Sequence, residues 1–269
     1  MEAPEIAPGV PPNYYDRIRA VDESTWWYRS SREIERALLA GRLRPGLRLL
    51  DAGCGPGGHL RWAADSGYFN TIAGIDVARQ AIEIARARVP EAILEVGPLH
   101  ALPFASRSFD LVVMHDVLQH IPEQELSGSL EELRRVLDVG GALVVRTNGG
   151  RRYRRARSDW RLYDKVALQK TLEASGFRCE RLTYANMLPS IAAALRGRTP
   201  QAPTEHRTGV PPRDSSRLRA RVGSGVSWIE ARYLSRPGRS LPYGHSLWAV
   251  AAPLVTSGPA PAYRTGRSE

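Results

Sequence analysis

Leu47-Arg48-Leu49-Leu50-Asp51-Ala52-Gly53-Cys54-Gly55-Pro56-Gly57-Gly58 is the stretch on which the reading of this chain turns. Leu47, Leu49 and Leu50 read as the end of a buried strand. Gly53, Gly55, Gly57 and Gly58 form a tight turn, and a helix follows through Leu60, Trp62 and Ala63. Strand, glycine turn and helix open a doubly wound α/β sheet, whose ligands bind at that turn. A Cβ at these positions would hold a ligand off the backbone. The spacing Gly53-x-Gly55-x-x-Gly58 alone also fits a dinucleotide site.

Asp51 separates the two readings. A carboxylate two residues before the first glycine opposes a pyrophosphate but suits a ligand that carries an ammonium and a sulfonium, which describes S-adenosyl-L-methionine (SAM). The other role open to Asp51 is to cap the turn. Residues 71–76, Thr-Ile-Ala-Gly-Ile-Asp, form a second strand ending in an acid. In this topology Asp76 lies beside the glycine turn, placed to accept hydrogen bonds from both ribose hydroxyls. Its alternative is a helix-capping aspartate. Val77 then lies against the adenine.

The whole chain is consistent with that start. Its 269 residues fit one large α/β domain, or one domain with a smaller appendage. A hydrophobic fraction of 42% is enough for a full core. The net charge of +10 rests almost wholly on arginine, since Lys165 and Lys170 are the two lysines. Such a bias follows from a GC-rich genome as readily as from function, so nucleic acid is not the expected partner. Cys54 and Cys179 fall in different elements and form no disulfide framework or zinc spacing. The sequence shows no metal constellation. Residues 1–21 contain no apolar run of a signal peptide, and no stretch is long and apolar enough to span a membrane. These features predict a soluble cytoplasmic protein.

Residues 1–20 read as a flexible N-terminus and 21–195 as the cofactor-binding domain. Residues 196–222, rich in Arg, Pro, Ser and Thr, read as a flexible linker. Residues 223–253 hold a short helix and a final strand that completes the sheet, and 254–269 form a tail. A helix starts near Ser24 or Thr25 and runs through Arg42, with Ile34, Leu38 and Leu39 at helical spacing. Trp26 and Trp27 either pin it to the sheet or let it lid the cofactor pocket. In the second case Arg32 or Arg29 pairs with the ligand carboxylate, because a guanidinium binds a carboxylate through two hydrogen bonds. A third strand is expected over 92–96, a fourth over 109–114, a fifth over 142–146 and a sixth over 178–185. Gly140-Gly141 is expected to end the helix that begins at Glu123. Residues 246–252 are the seventh strand.

His115-Asp116-Val117-Leu118-Gln119-His120-Ile121 follows the fourth strand and emerges over the transferable group. His115, Asp116 and His120 are therefore the catalytic candidates. Histidine is the side chain whose ordinary pKa best suits proton removal near neutral pH. Both histidines have a competing role in packing against the next helix. Residues 151–157 hold five arginines in seven residues, either a solvated loop or a lid that attracts an anionic substrate.

Several of these segments, in order, resemble the class I SAM-dependent methyltransferases. They are Trp26-Trp27-Tyr28 with Arg32, the glycine motif, Leu102-Pro103-Phe104, Asp116-Val117-Leu118-Gln119-His120 and Leu241-Pro242-Tyr243-Gly244-His245. The set is most similar to a bacterial branch with a His-Trp-Trp-Phe-like N-terminal signature, whose first position is Thr25 here. The resemblance covers about residues 20 to 252 apart from the linker. It implies a seven-stranded α/β sheet with the last strand antiparallel between the fifth and sixth. It implies SAM as cofactor, held by Trp27, Arg32, Asp51, Gly53, Cys54, Gly55, Asp76, Val77, Leu99, His100 and His115. Many members have an Asp for the adenine amino group where this chain has Pro98. Adenine recognition then falls to the backbone around Leu99 and His100. Arg161 and Tyr163 match part of a His-Lys-Arg-Arg-Tyr-like segment and are the candidate substrate contacts, although Asp159 replaces the His. The expected acceptor is a small molecule, anionic if the arginine loop closes on it, with oxygen slightly favoured over nitrogen. An RNA or protein methyltransferase, and a SAM-fold binding module without transfer, are the alternatives.

Overall fold

The computed structural model describes residues 4, 13–22, 25–149, 161–195 and 217–254. The arginine run 151–157, the first twenty-one residues of the expected linker (196–216) and nearly all of the tail lie outside them. Seven strands, β1 (Leu47–Ala52), β2 (Phe69–Asp76), β3 (Ile93–Val96), β4 (Phe109–His115), β5 (Leu137–Asn148), β6 (Phe177–Ala185) and β7 (Ser246–Pro253), form one sheet. The order is β3-β2-β1-β4-β5-β7-β6. The first five strands pair in parallel, while β7 is antiparallel to both β5 and β6, as expected. The chain winds outward in one direction from β1 and in the other from β4. Their carboxyl ends therefore flank a crevice, the usual ligand site of such a sheet.

Neighbouring residues on a strand face opposite sides of a sheet. Leu50, Val112 and Leu143 pack on one face with Leu130 and Leu133 of α5 (Glu123–Val136). Leu49, Val113 and Val144 pack on the other with Ile34 and Leu38 of α2 (Trp26–Leu38) and Leu60 of α3 (Gly58–Ser66). Both faces are covered, so the central strands read as continuous apolar runs rather than as alternation.

Three expectations on boundaries need correction. The segment expected as a flexible N-terminus contains helix α1 (Tyr14–Arg19), with Tyr15 buried against Ala78 and Ala81 at the start of α4 (Arg79–Arg88). Gly140 and Gly141 do not end α5. That helix stops at Val136, and β5 starts at once from Leu137. A Cβ on Gly141 would lie 2.9 Å from the carbonyl oxygens of Asp110 and Asp138, so glycine is required there for close strand approach. Helix α6 spans Lys165–Ala174, and the short helix expected within 223–253 is long. It begins inside the predicted linker, as α8 (Arg217–Leu234). Its buried Glu230 accepts hydrogen bonds from the amides of Asn186 and Leu188, at the start of α7 (Met187–Leu195). A carboxylate at those amides meets the unpaired donors and positive end of the helix.

Between α1 and α2 the chain is fastened by Asp22. Its buried carboxylate receives both arms of Arg88, at 2.8 and 3.0 Å. Arg88 also donates to the carbonyl of Pro56 at 2.9 Å, which ties the fastening to the glycine turn. Removing one partner of a buried ion pair leaves the other unpaired and costs roughly 3–5 kcal/mol. Arg88→Met is expected to lower the unfolding free energy by about 3 kcal/mol in urea denaturation. Asp22→Asn/Arg88→Met, which removes both charges, is expected to recover part of that loss.

Candidate active site

The crevice at the carboxyl ends of β1 and β4 is a cavity of about 260 Å³. The glycine turn forms its floor, and α1, the turn at Asp22 and α2 form the opposite wall. Gly53 has φ 83°, and a Cβ there would come within 2.3 Å of a Val117 methyl. Gly58 faces Asp22, whose Oδ2 would lie 2.1 Å from an added Cβ. Both glycines are thus needed by the packed protein itself, apart from any ligand.

Asp76 ends β2 at this cavity. It accepts the Gly55 amide at 3.0 Å through Oδ2 and the Ala78 amide at 3.0 Å through Oδ1. Burial pushes its carboxyl up to about 6, against the pull of those amides. Asp51 is buried at the end of β1 and also lines the cavity. Gly53, Cys54, Gly55 and Val77 complete the floor, with Gly97 and Leu99 beyond β3. Burial raises the Cys54 thiol well above its ordinary range, so it lines the site as an uncharged group.

Arg32 reaches the cavity from α2 and donates to the carbonyls of Asp22 and Gly58, each at 3.0 Å. His115, Asp116 and His120 border the cavity at the end of β4 and in the 3₁₀ turn Leu118–His120. Asp116 has φ 57° and is paired with the buried Arg146 at 2.6 Å. His115 is held well below its ordinary pKa by burial and by the nearby Arg146, His59 and Arg32 cations, so it is neutral.

Four expected contacts lie elsewhere. Trp27 does not line the cavity; its ring packs edge-on against His245 at 4.9 Å. Exposed His100 is 3.3 Å from the Glu125 carboxylate, outside the cavity lining. Arg161 braces the 3₁₀ turn by donating to the Ile121 carbonyl and to Tyr163, whose ring is buried in the core. Neither Arg161 nor Tyr163 reaches the cavity.

Other cavity residues were not anticipated: Tyr14, Asp22, Tyr28, Glu35, His59 and Arg146. They come from α1, the turn at Asp22, α2, α3 and β5, whose approach to the crevice is set by tertiary packing. Tyr28, beside the Trp26-Trp27 pair, is the one with a sequence signal. Burial raises its phenol, so it stays protonated and can donate.

Residues 50–145 match the family model described as "Methyltransferase domain". The chain is 33% identical over 150 residues to malonyl-[acyl-carrier protein] O-methyltransferase of Enterobacter lignolyticus, covering 56% of this chain and 54% of that protein. It is 35% identical over 98 residues to dTDP-3-amino-3,6-dideoxy-alpha-D-glucopyranose N,N-dimethyltransferase of Streptomyces fradiae, covering 36% and 38%. The chain therefore spans only about half or less of the length of these curated relatives. In fold it is similar to phosphoethanolamine N-methyltransferase 2 of Haemonchus contortus, solved with SAM, with a TM-score of 0.57. There the identity is 19%, over 91% of this chain and 58% of that one. Over residues 50–145 the chain is thus similar to methyltransferases, and SAM is the cofactor that such a domain implies. Among the described residues, no helix is long and apolar enough to cross a membrane.

The position of Asp76 gives a pH dependence. Its carboxyl is held at about 6 in the folded protein against an ordinary 3.8, so the folded state binds the proton more tightly than the unfolded chain. This contribution to stability is greatest below pH 4, falls between about pH 4 and 6, and is constant above. The difference in urea midpoint between wild type and Asp76→Asn is expected to change over that interval and to stay flat above it.

Proposed function

We propose that this chain transfers the methyl group of SAM to a small-molecule acceptor, with oxygen slightly favoured as the acceptor atom. The observation that carries the reading is the cavity itself. Asp76, Asp51 and the glycine turn lie on one side of it, and His120, Asp116, Tyr28 and Arg146 border the same space. A cofactor seated on the first group directs its methyl toward the second. The similarity to an O-methyltransferase and a sugar N,N-dimethyltransferase supports a small-molecule acceptor.

In this reading Asp76 holds the ribose, and the backbone at Gly53 and Gly55 lies under the methionine part. Asp51 faces the ammonium, and Arg32 extends toward the carboxylate. SAM supplies an electrophilic methyl on a sulfonium that leaves as a neutral thioether. The protein's task is then mostly alignment, with the acceptor atom roughly 3 Å from the methyl carbon and opposite the sulfur. As the new oxygen–carbon bond forms and the carbon–sulfur bond breaks, the acceptor hydroxyl passes its proton to His120. His120 suits the role better than the other candidates, because Asp116 is committed to Arg146 and His115 is enclosed beside Glu35. Arg146, with Tyr28, is the group suited to an anionic acceptor.

Calorimetric titration with SAM and with S-adenosylhomocysteine is expected to give one site. Asp76→Ala, which loses two hydrogen bonds to a charged acceptor, is expected to weaken it roughly 10- to 100-fold. Failure of the folded protein to bind either ligand would overturn the reading. Once an acceptor is found by mass shift, His120→Ala is expected to lower kcat roughly 100-fold or more with SAM affinity unchanged. An unchanged kcat would assign His120 to packing. Transfer to RNA or protein but to no small molecule would favour the macromolecular alternative.

A further inference from the structure

One wall of the cavity gathers three side chains that the proposed transfer does not use. Glu35 comes from α2, His59 from α3 and His115 from the end of β4. His59 Nε2 is 3.1 Å from Glu35 Oε2, and His115 Nε2 is 3.5 Å from the same oxygen. One potential ligand atom from each residue lies within 4.8 Å of the others, the one such group of three among the described residues. Glu35 is 1% exposed, and both histidine side chains are 12% exposed. Asp51 approaches the far side of His59, with Oδ2 3.3 Å from Nδ1.

Two buried carboxylates this close need compensating positive charge. Arg146 and a protonated His59 supply such charge, but neither accounts for His115, whose Nε2 is buried, faces Glu35 and makes no hydrogen bond. The ring is held in place edge-on between His59, 4.9 Å away, and Trp248, 5.4 Å away. An ion between that nitrogen and Glu35 would satisfy both at once.

We propose that Glu35, His59 and His115 bind a divalent transition-metal ion of the zinc type. The separations of 3.1 and 3.5 Å bracket the ligand–ligand spacing of roughly 3.3 Å that a tetrahedron with bonds of about 2.0–2.1 Å requires. Two imidazoles and one carboxylate are a donor set of open, three-ligand zinc sites. Imidazole donors disfavour magnesium and calcium, which prefer oxygen. Asp51 then acts on the ion through His59, as a carboxylate that fixes the ring and its ligating nitrogen. All three ligands line the cavity, so the fourth position is open to a water or to an oxygen or nitrogen donor entering it. The site does not depend on methyl transfer.

The test uses the untagged full chain, stripped with a chelator, dialysed and titrated with cobalt(II) chloride. Visible absorption bands of four-coordinate cobalt are expected to saturate at one equivalent and to be displaced by zinc chloride. Glu35→Gln and His115→Ala are each expected to weaken binding more than 10-fold, and Asp51→Asn roughly 10- to 100-fold through the outer contact. His100→Ala, outside the cavity, is expected to leave it unchanged. Circular dichroism shows which variants fold, and Glu35→Gln keeps the shape of the side chain. Absence of saturable bands in folded wild-type protein overturns the proposal, as do bands of equal strength in Glu35→Gln and His115→Ala. SAM titration of the same samples reads the cofactor site separately, so the two readings fail independently.

Discussion

The ion pair between Asp22 and Arg88 is the contact on which the enclosed site depends. A parallel sheet by itself offers an open crevice between β1 and β4. The chain before β1 must be held across that crevice to make a cavity, and the holding point is a carboxylate with both oxygens on one guanidinium. Arg88 also grips the Pro56 carbonyl, and Arg32 bridges the carbonyls of Asp22 and Gly58. The wall and the glycine turn are thus fastened to each other. The Asp22 carboxylate occupies the space beside Gly58 where a side chain would otherwise stand. Glycine at that position therefore answers a packing demand as well as a ligand's demand.

Burial of charge organises the rest of the cavity. Asp51, Glu35 and Arg146 are each at most 5% exposed, and each has an oppositely charged or ionisable neighbour in the wall. Desolvation makes such groups costly, so their presence together in one small space is a feature of a site rather than of a core. The neutral His115 lies between the Arg146 and His59 sides of this arrangement. It forms part of the wall, whereas His120 stands at the rim.

The family match covers residues 50–145, about a third of the chain. That segment runs from the end of β1 to most of β5 and contains the glycine turn. The cavity wall is built partly from outside it, by Tyr14, Tyr28 and Glu35 before and by Arg146 after. Cofactor chemistry is shared across a family because SAM is the same molecule in each member. Acceptor contacts differ because the acceptors do, so the family resemblance carries little about them.

The sequence by itself determined the strands and the glycine turn, and the place of the seventh strand came with the family resemblance. Apolar runs bounded by glycines and acids are local signals, and a β-α-β chain has few ways to wind. Asp51, Gly53, Gly55, Asp76 and Val77 were legible because each lies at a strand end or in the turn, where position along the chain fixes position in space. Only the tertiary structure decided that Trp27 packs on His245, that Arg161 and Tyr163 brace a turn, and that α1 is an ordered part of the wall. Gly140-Gly141 reads as a helix stop in sequence, yet it serves close strand approach, a demand made by Asp110 and Asp138 from other elements. The grouping of Glu35, His59 and His115 was invisible for the same reason. The three residues are separated by 24 and 56 positions, which carries no ligand spacing, and they meet only because α2 and α3 pack over the end of β4. Contacts between distant elements depend on how helices settle on the sheet, and that is decided by the whole core at once.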